Sequence, residues 1–261
     1  LGLCESVNSA TFESFNNKAI TSASVMMPTK NISDVAEFRS LNTNYDFGIH
    51  LTVTSEWKFL KWGGVLDDKD IPTVLNSKNH FYWNKRKFTK YSKLDEISNE
   101  LQAQVDLGVS MGLNPSHIDS HEGALFFDPD IFKLYLKIAK KNDLLAFVPI
   151  QASVHFDENF KKPKNAIIID QFHMLPEGTR VDKIEDYYYN VIENLKPGLS
   201  QIIVHLGKDE QELKEITIDH PNFDYRWRQK DFEIFNSEKF KRHLKKNNIK
   251  LITWKDLHKL I

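Results

Sequence analysis

Residues 47–53 read Phe-Gly-Ile-His-Leu-Thr-Val, an apolar segment interrupted by two polar side chains. Successive side chains of a β-strand point to opposite faces, so His50 and Thr52 would lie on one face and the apolar residues on the other. The sequence therefore predicts a strand over residues 47–53 that carries an imidazole close to its C-terminal end.

Two other segments repeat this arrangement. Residues 117–121 read His-Ile-Asp-Ser-His, which as a short strand places both histidines and Asp119 on one face. Residues 202–206 read Ile-Ile-Val-His-Leu, and His205 interrupts this apolar run near its end. A single strand histidine also fits a purely structural role. Imidazoles that converge from the C-terminal ends of several strands are instead typical of a barrel active site, and favour a metal site.

The periodicity along the chain alternates between short apolar runs and longer amphipathic ones, which predicts βαβ units and a parallel sheet. This α/β pattern fits both an open doubly wound sheet and a closed barrel, and the histidines favour the barrel. Asp128 and Pro129 are a typical N-cap and first-turn pair. The predicted strands are 21–27, 47–53, 117–121, 145–150, 166–170, 201–206 and 249–253, and the main predicted helices are 33–41, 94–111, 129–141, 181–195 and 237–246.

Residues 54–92 form an irregular insertion without clear periodicity. A loop of this length inside a compact domain is usually a lid or a binding insertion. Its aromatic side chains would either stack on a ligand or pack the insertion onto the body of the protein. They are Trp57, Trp62, Phe81, Tyr82 and Trp83.

Composition narrows the function classes. The chain has 261 residues and a formal net charge of −1, so it lacks the basic excess of a nucleic-acid-binding protein. No apolar run is long enough for a membrane span. The single cysteine, Cys4, excludes an intramolecular disulfide. We therefore predict a cytoplasmic protein, with export left open because the chain opens at Leu1-Gly2-Leu3 and a preceding segment is expected.

The histidine segments resemble a known family. Residues 115–121, Pro-Ser-His-Ile-Asp-Ser-His, resemble the P-[ST]-H-[LIV]-D-[ST]-H segment of the YdjC-like carbohydrate deacetylases, which include the chito-oligosaccharide deacetylases. Residues 48–52 resemble the family's G-[LIM]-H-[LF] strand. Further stretches match in the same order over nearly the whole chain: Asn8, 21–26, 100–104, 197–198, 203–205, Arg228 with Asp231, and 252–254.

The resemblance implies a single domain over 1–261, folded as a distorted (β/α) TIM-like barrel related to the polysaccharide deacetylases. It implies one divalent metal ion, with zinc or magnesium as the leading candidates, held by His50, His121 and one aspartate. His117 and Asp119 would orient these ligands. The family's Asp-Asp pair, which supplies the third ligand and the base, would lie upstream of Leu1 together with the first strand.

The expected reaction is removal of the acetyl group from an N-acetylated mono- or oligosaccharide. His205 is the predicted acid that protonates the leaving amine, because the pKa of histidine lies near the working pH. Many relatives continue the motif with further histidines, whereas residues 122–126 here read Glu-Gly-Ala-Leu-Phe, which leaves the exact sugar open. Two alternatives are a barrel metallohydrolase acting on another bond and a non-catalytic carbohydrate-binding relative. Substrate-binding residues are not predicted, and a homodimer is left open.

Overall fold

The computed structural model describes residues 1–220 and 222–260. The strands within them are β1 (Ala23–Val25), β2 (Phe47–Leu51), β3 (His117–Ser120), β4 (Leu145–Pro149), β5 (Ala166–Ile169), β6 (Gln171–His173) and β7 (Ser200–Ile202). The α-helices are α1 (Glu5–Asn16), α2 (Ile32–Leu41), α3 (Lys85–Tyr91), α4 (Leu94–Ser110), α5 (Pro129–Lys141), α6 (Ile184–Asn194), α7 (Gln211–Ile216), α8 (Tyr225–Asn236), α9 (Glu238–Lys246) and α10 (Trp254–His258).

The strands pair in the order in which they follow one another along the chain. β1 to β5 form one parallel sheet, and β6 pairs with β7, also in parallel. The residues of β3 and most residues of β2 and β4 are buried, as expected for strands covered by helices on both faces. The predicted α/β fold with a parallel sheet is confirmed.

Closure into a barrel is not confirmed. Across residues 1–220 and 222–260, the hydrogen-bonded strands form two separate sheets. The break falls at Asp170, the one residue between β5 and β6. Before it the chain pairs with β4, and after it the chain pairs with β7. The chain therefore bends and changes partners at Asp170, and the strands on either side of it contribute to different sheets.

Leu1 lies at the outer edge of β1. Its nitrogen donates to Ser24 O at 3.1 Å, and Met26 N donates to Leu1 O at 2.9 Å. These two bonds follow the pattern of a parallel ladder. Leu1 therefore occupies a strand position beside β1, next to Ser24 and Met26.

The insertion is a packed part of the molecule. Trp57, Trp62 and Phe81 are buried in the main core, which favours the packing role over an exposed aromatic lid, although Trp83 is 57% exposed. α3 also lies within these residues, where no regular element was predicted.

Buried polar residues of α4 hold the insertion and the end of β2. Glu100 accepts hydrogen bonds from the backbone N–H groups of Val65 and Leu66. Gln104 bonds both backbone groups of Thr52, accepting from N at 2.9 Å and donating to O at 2.7 Å. The chain that leaves β2 is thereby fixed against α4.

Several predicted boundaries differ from the structure. Asp128 caps α5 through bonds from the N–H groups of residues 130 and 131, as predicted. The strand predicted over 201–206 ends at Ile202, so His205 lies in the following loop. The strand predicted over 249–253 does not form, because Leu251 is half exposed and Thr253 caps α10. Over the two described ranges, no helix is both long and apolar enough to cross a membrane.

Candidate active site

The candidate site begins with a pair of residues on neighbouring strands. His50 on β2 is the register partner of Asp119 on β3, so their side chains leave the sheet side by side. His50 Nδ1 lies 2.6 Å from Asp119 Oδ1, and Ser24 Oγ donates to the other carboxylate oxygen at 2.8 Å. Burial raises the pKa of Asp119, but the His50 ring outweighs it and the net pKa is lowered. Asp119 is therefore a carboxylate, and His50 donates to it through Nδ1–H.

The second histidine faces the first. His121 Nδ1 lies 3.3 Å from His50 Nε2, with the two rings close to perpendicular at 75°. The other nitrogen of His121, Nε2, lies 2.9 Å from Glu56 Oε2. Burial lowers the pKa of His121, but the Glu56 carboxylate outweighs it and raises the pKa overall. Each imidazole thus uses one nitrogen on a carboxylate and presents the other to its neighbour.

These residues fit a divalent ion. Metal-binding imidazoles commonly donate their second N–H to a carboxylate, which fixes the tautomer and leaves a lone pair for the metal. His50 and His121 both have such a carboxylate, and the nitrogens that remain are close enough to share one ion with Zn–N distances of about 2.0–2.1 Å. A second grouping is also present, since ligand atoms of Glu56, His121 and Glu122 lie within 4.8 Å of one another.

A strained turn places His121. β3 ends at Ser120, and Glu122 (φ 51°) and Gly123 (φ 64°) then adopt left-handed backbone conformations. Such a conformation is uncommon for a residue with a Cβ and persists only where surrounding contacts hold it. Here Thr54 donates to the Glu122 carboxylate at 2.8 Å and Lys85 donates to its backbone oxygen at 3.0 Å. The insertion therefore supports the turn from two sides.

His117 lies deeper in the sheet than the other two histidines. It is buried and stacks on Trp254, with ring centroids 4.7 Å apart. Ser116 contacts its Nδ1 at 2.8 Å, and Ser24 contacts its Nε2 at 3.3 Å. Burial lowers the pKa of His117. His117 contacts Ser24, which bonds Asp119, so its link to His50 is indirect. Asp119 contacts His50 directly.

His205 approaches the site from the loop after β7. Its backbone N–H donates to Asp231 Oδ2 at 2.9 Å, and its ring lies against Phe223. Burial, followed by the positive charge of Arg228, lowers the pKa of His205 well below its ordinary value. The imidazole is therefore neutral at pH 7 before substrate binds.

A buried carboxyl anchors this loop. Asp231 on α8 accepts from His205 N and, at 2.9 Å, from the hydroxyl of Tyr188. Burial raises the pKa of Asp231 to about 7. Arg226 forms an ion pair with Asp224. Arg228 donates to Phe223 O and lies over the Trp57 ring at 5.2 Å.

Asp67 and Asp68 are exposed in the insertion, and Asp67 pairs with Lys69 on the surface at 3.4 Å. Glu56, by contrast, was not predicted. The available signal was its position soon after β2, because residues that follow the C-terminal ends of parallel strands gather at one edge of the sheet.

Comparison with known proteins gives consistent matches. A family model described as "YdjC-like protein" matches residues 1–246. A "Carbohydrate deacetylase" from Clostridium beijerinckii is 22% identical over 98% of this chain and 96% of its own length. One from Vibrio parahaemolyticus is 26% identical over 70% of this chain and 72% of its own. A solved structure from Enterococcus faecalis, provisionally named a cellobiose-phosphate cleavage protein, has a TM-score of 0.78 at 18% identity, covering 98% of this chain and 95% of that one.

Proposed function

Because the chain belongs to the YdjC-like family, we propose that it is a carbohydrate deacetylase, a hydrolase that removes acetyl groups from acetylated sugars. We further propose that the reaction depends on one divalent ion. The observation that carries this proposal is the pair of facing nitrogens, His50 Nε2 and His121 Nδ1, 3.3 Å apart, each on a ring whose other nitrogen is bound by a carboxylate.

His50 and His121 are the proposed metal ligands. A carboxylate is the proposed third ligand and another carboxylate is the proposed base, the two roles that the resemblance assigns to the family's paired aspartates. Two imidazoles and a carboxylate suit zinc, with magnesium as the alternative. When bound, such an ion polarises an amide carbonyl and acidifies water.

The chain's own groups would then bind, orient and move protons. Asp119 holds the His50 ring in one tautomer through the bond to Nδ1. The leaving amine needs a proton, and His205 is the proposed donor. Since burial depresses its pKa, His205 would have to take up a proton, ultimately the one that the attacking water loses, before it could donate one to the amine. Asp231 holds the His205 backbone through the N–H bond.

The finer features of the fold follow as proposals. We propose that residues 1–261 form one domain with the strand arrangement of a distorted (β/α) barrel related to the polysaccharide deacetylases. Only Asp170 separates β5 of the first sheet from β6 of the second. The strands of each sheet pair in chain order, which supports this arrangement. An N-acetylated mono- or oligosaccharide substrate and a cytoplasmic location complete the proposal.

The test measures acetate released when the intact protein is incubated with N-acetylglucosamine oligomers and zinc or magnesium. We expect metal-dependent release that a chelator abolishes and His50→Ala removes. An Asp67→Asn variant, altered at an exposed carboxylate of the insertion, serves as the matched control. Metal binding without acetate release would instead favour the non-catalytic relative. Release that persists in His50→Ala and in chelator would overturn the metal dependence.

A further inference from the structure

Glu56 comes from the insertion, yet its side chain lies inside the site. The segment from Thr54 onward leaves β2 and is fixed at once: Trp62 Nε1 donates to Thr54 O at 2.7 Å, and Ser55 N donates to Tyr82 O at 2.9 Å. The side chain of Glu56 is 17% exposed, and that of His121 is 13% exposed. The hydrogen-bonded backbone just before Glu56 therefore holds the Glu56 carboxylate beside His121.

The contact of Glu56 with His121 repeats the contact of Asp119 with His50. Asp119 binds Nδ1 of His50 at 2.6 Å and leaves Nε2 open, whereas Glu56 binds Nε2 of His121 at 2.9 Å and leaves Nδ1 open. The two open nitrogens are the pair that face each other at 3.3 Å. If either carboxylate were removed, its imidazole would lose the partner that fixes both tautomer and ring angle.

We infer that Glu56 is a positioning residue that orients His121 toward the metal ion, and that it does not bind the ion itself. This inference rests on the proposed function and adds to it a residue of the insertion. An imidazole nitrogen that donates a hydrogen bond to Glu56 has no lone pair for a metal. Coordination by His121 together with His50 therefore has to use Nδ1, the nitrogen that Glu56 leaves free.

The competing arrangement is an ion held by Glu56, His121 and Glu122, whose ligand atoms lie within 4.8 Å of one another. An ion bound to Nε2 of His121 would displace the hydrogen bond from Glu56, and it would leave His50 Nε2 facing a nitrogen with no role. The Glu122 carboxylate is moreover held by Thr54 at 2.8 Å. An orienting role for Glu56 accounts for the ring positions of both His50 and His121, whereas the competing arrangement accounts for His121 alone.

The experiment titrates the metal-free intact protein with Co²⁺ and Zn²⁺, and follows Co²⁺ binding by its visible absorption. We expect Glu56→Ala to weaken binding about 10–100-fold, as removal of a carboxylate behind a metal-binding histidine usually does. Glu56→Gln keeps an acceptor for Nε2–H, so its affinity should fall between that of wild type and that of Glu56→Ala. Its Co²⁺ spectrum should match that of wild type. Glu122→Gln should bind as wild type does.

The outcomes separate the alternatives. If Glu56 is a ligand, Glu56→Gln will lose as much affinity as Glu56→Ala and its Co²⁺ spectrum will change, which overturns the orienting role. An equal loss in Glu122→Gln would establish the competing site and also overturn it. Unchanged affinity in Glu56→Ala, with wild type binding normally, would refute the inference and leave the proposed function standing. If wild type binds neither ion, the proposed metal dependence fails first. Thermal unfolding of each metal-free variant verifies that it is folded.

Discussion

Gly48 of β2 makes room for the ring of His117 on β3. The two residues are register partners, and a Cβ at position 48 would lie 2.4 Å from His117 Nε2. The ring cannot simply retreat, because Trp254 stacks on it with centroids 4.7 Å apart. A glycine in the middle of a strand is therefore required here by the close approach of a side chain.

We expect Gly48→Ala to lower the free energy of unfolding by about 1–3 kcal/mol, the usual cost of forcing an extra carbon into a packed interior. Urea denaturation measures the effect. The matched comparison is the same substitution in a His117→Ala background, where the steric conflict is gone and the cost should shrink. Equal costs in both backgrounds would show that His117 is not what Gly48 accommodates.

Glu100 joins the insertion to α4, so its loss should loosen residues 54–92. In Glu100→Ala the partly buried backbone N–H groups of Val65 and Leu66 lose their acceptor. A fully buried donor left unsatisfied costs about 1–3 kcal/mol, so we expect a loss toward the lower end of this range for each. We expect a lower free energy of unfolding and faster proteolysis within the insertion. Asp106→Ala changes an exposed acid on the same helix and serves as the control. Equal proteolysis of the two variants would contradict an anchoring role for Glu100.

Asp231 should make stability fall with rising pH. Burial raises its pKa in the folded protein from 3.8 to about 7. Between these values the folded chain keeps a proton that the unfolded chain has released, so this group lowers the free energy of unfolding as pH rises from about 4 to 7. The full difference is roughly 4 kcal/mol above pH 7.

Asp231→Asn removes this titration. We therefore expect the free energy of unfolding of wild type, relative to the variant, to decrease as pH rises from 4 to 7. Urea denaturation in chelator measures it without a contribution from metal binding. Asp68→Asn, at an exposed position, should keep the wild-type slope. Parallel curves for wild type and Asp231→Asn would show that the pKa of this carboxyl is not raised.

His205 should affect the rate of reaction and leave metal binding intact. We expect His205→Ala to lower kcat by about 10²–10⁴-fold, the usual contribution of a positioned acid or base, with zinc affinity unchanged. Steady-state acetate release and zinc titration measure the two quantities. The control is Arg226→Ala, which removes an exposed side chain of α8 that pairs with Asp224, the N-cap of the same helix. A parallel loss of zinc affinity in His205→Ala would assign His205 to the metal centre.

The sequence predicts best what is encoded locally. The end of α4 and the start of α5 follow from short-range signals, and Asp128 caps α5 as predicted. β2 and β3 follow from alternation of apolar and polar residues, which also gives the strand faces of His50 and Asp119. That the two residues are register partners is a finding of the structure.

What the sequence could not predict depends on contacts between distant segments. Glu56 joins the site only because the insertion packs its tryptophans into the core and braces Thr54. Residues 249–253 have the composition of a strand, but Thr253 forms a capping box with Asp256 and the chain turns into α10 instead. The change of partners at Asp170 could not be predicted either, because the strand with which a segment pairs lies far away in the sequence.

That change of partners has a consequence for the width of the site. His50 lies on β2 and His121 directly follows β3, both strands of the first sheet, whereas His205 follows β7 of the second. No ladder of backbone hydrogen bonds between the described strands ties one group to the other. Under the proposed function, the clearance for an acetylated sugar would consequently depend on side-chain packing between the two sheets, and substitutions in that packing would change which sugars fit while both sheets stay intact.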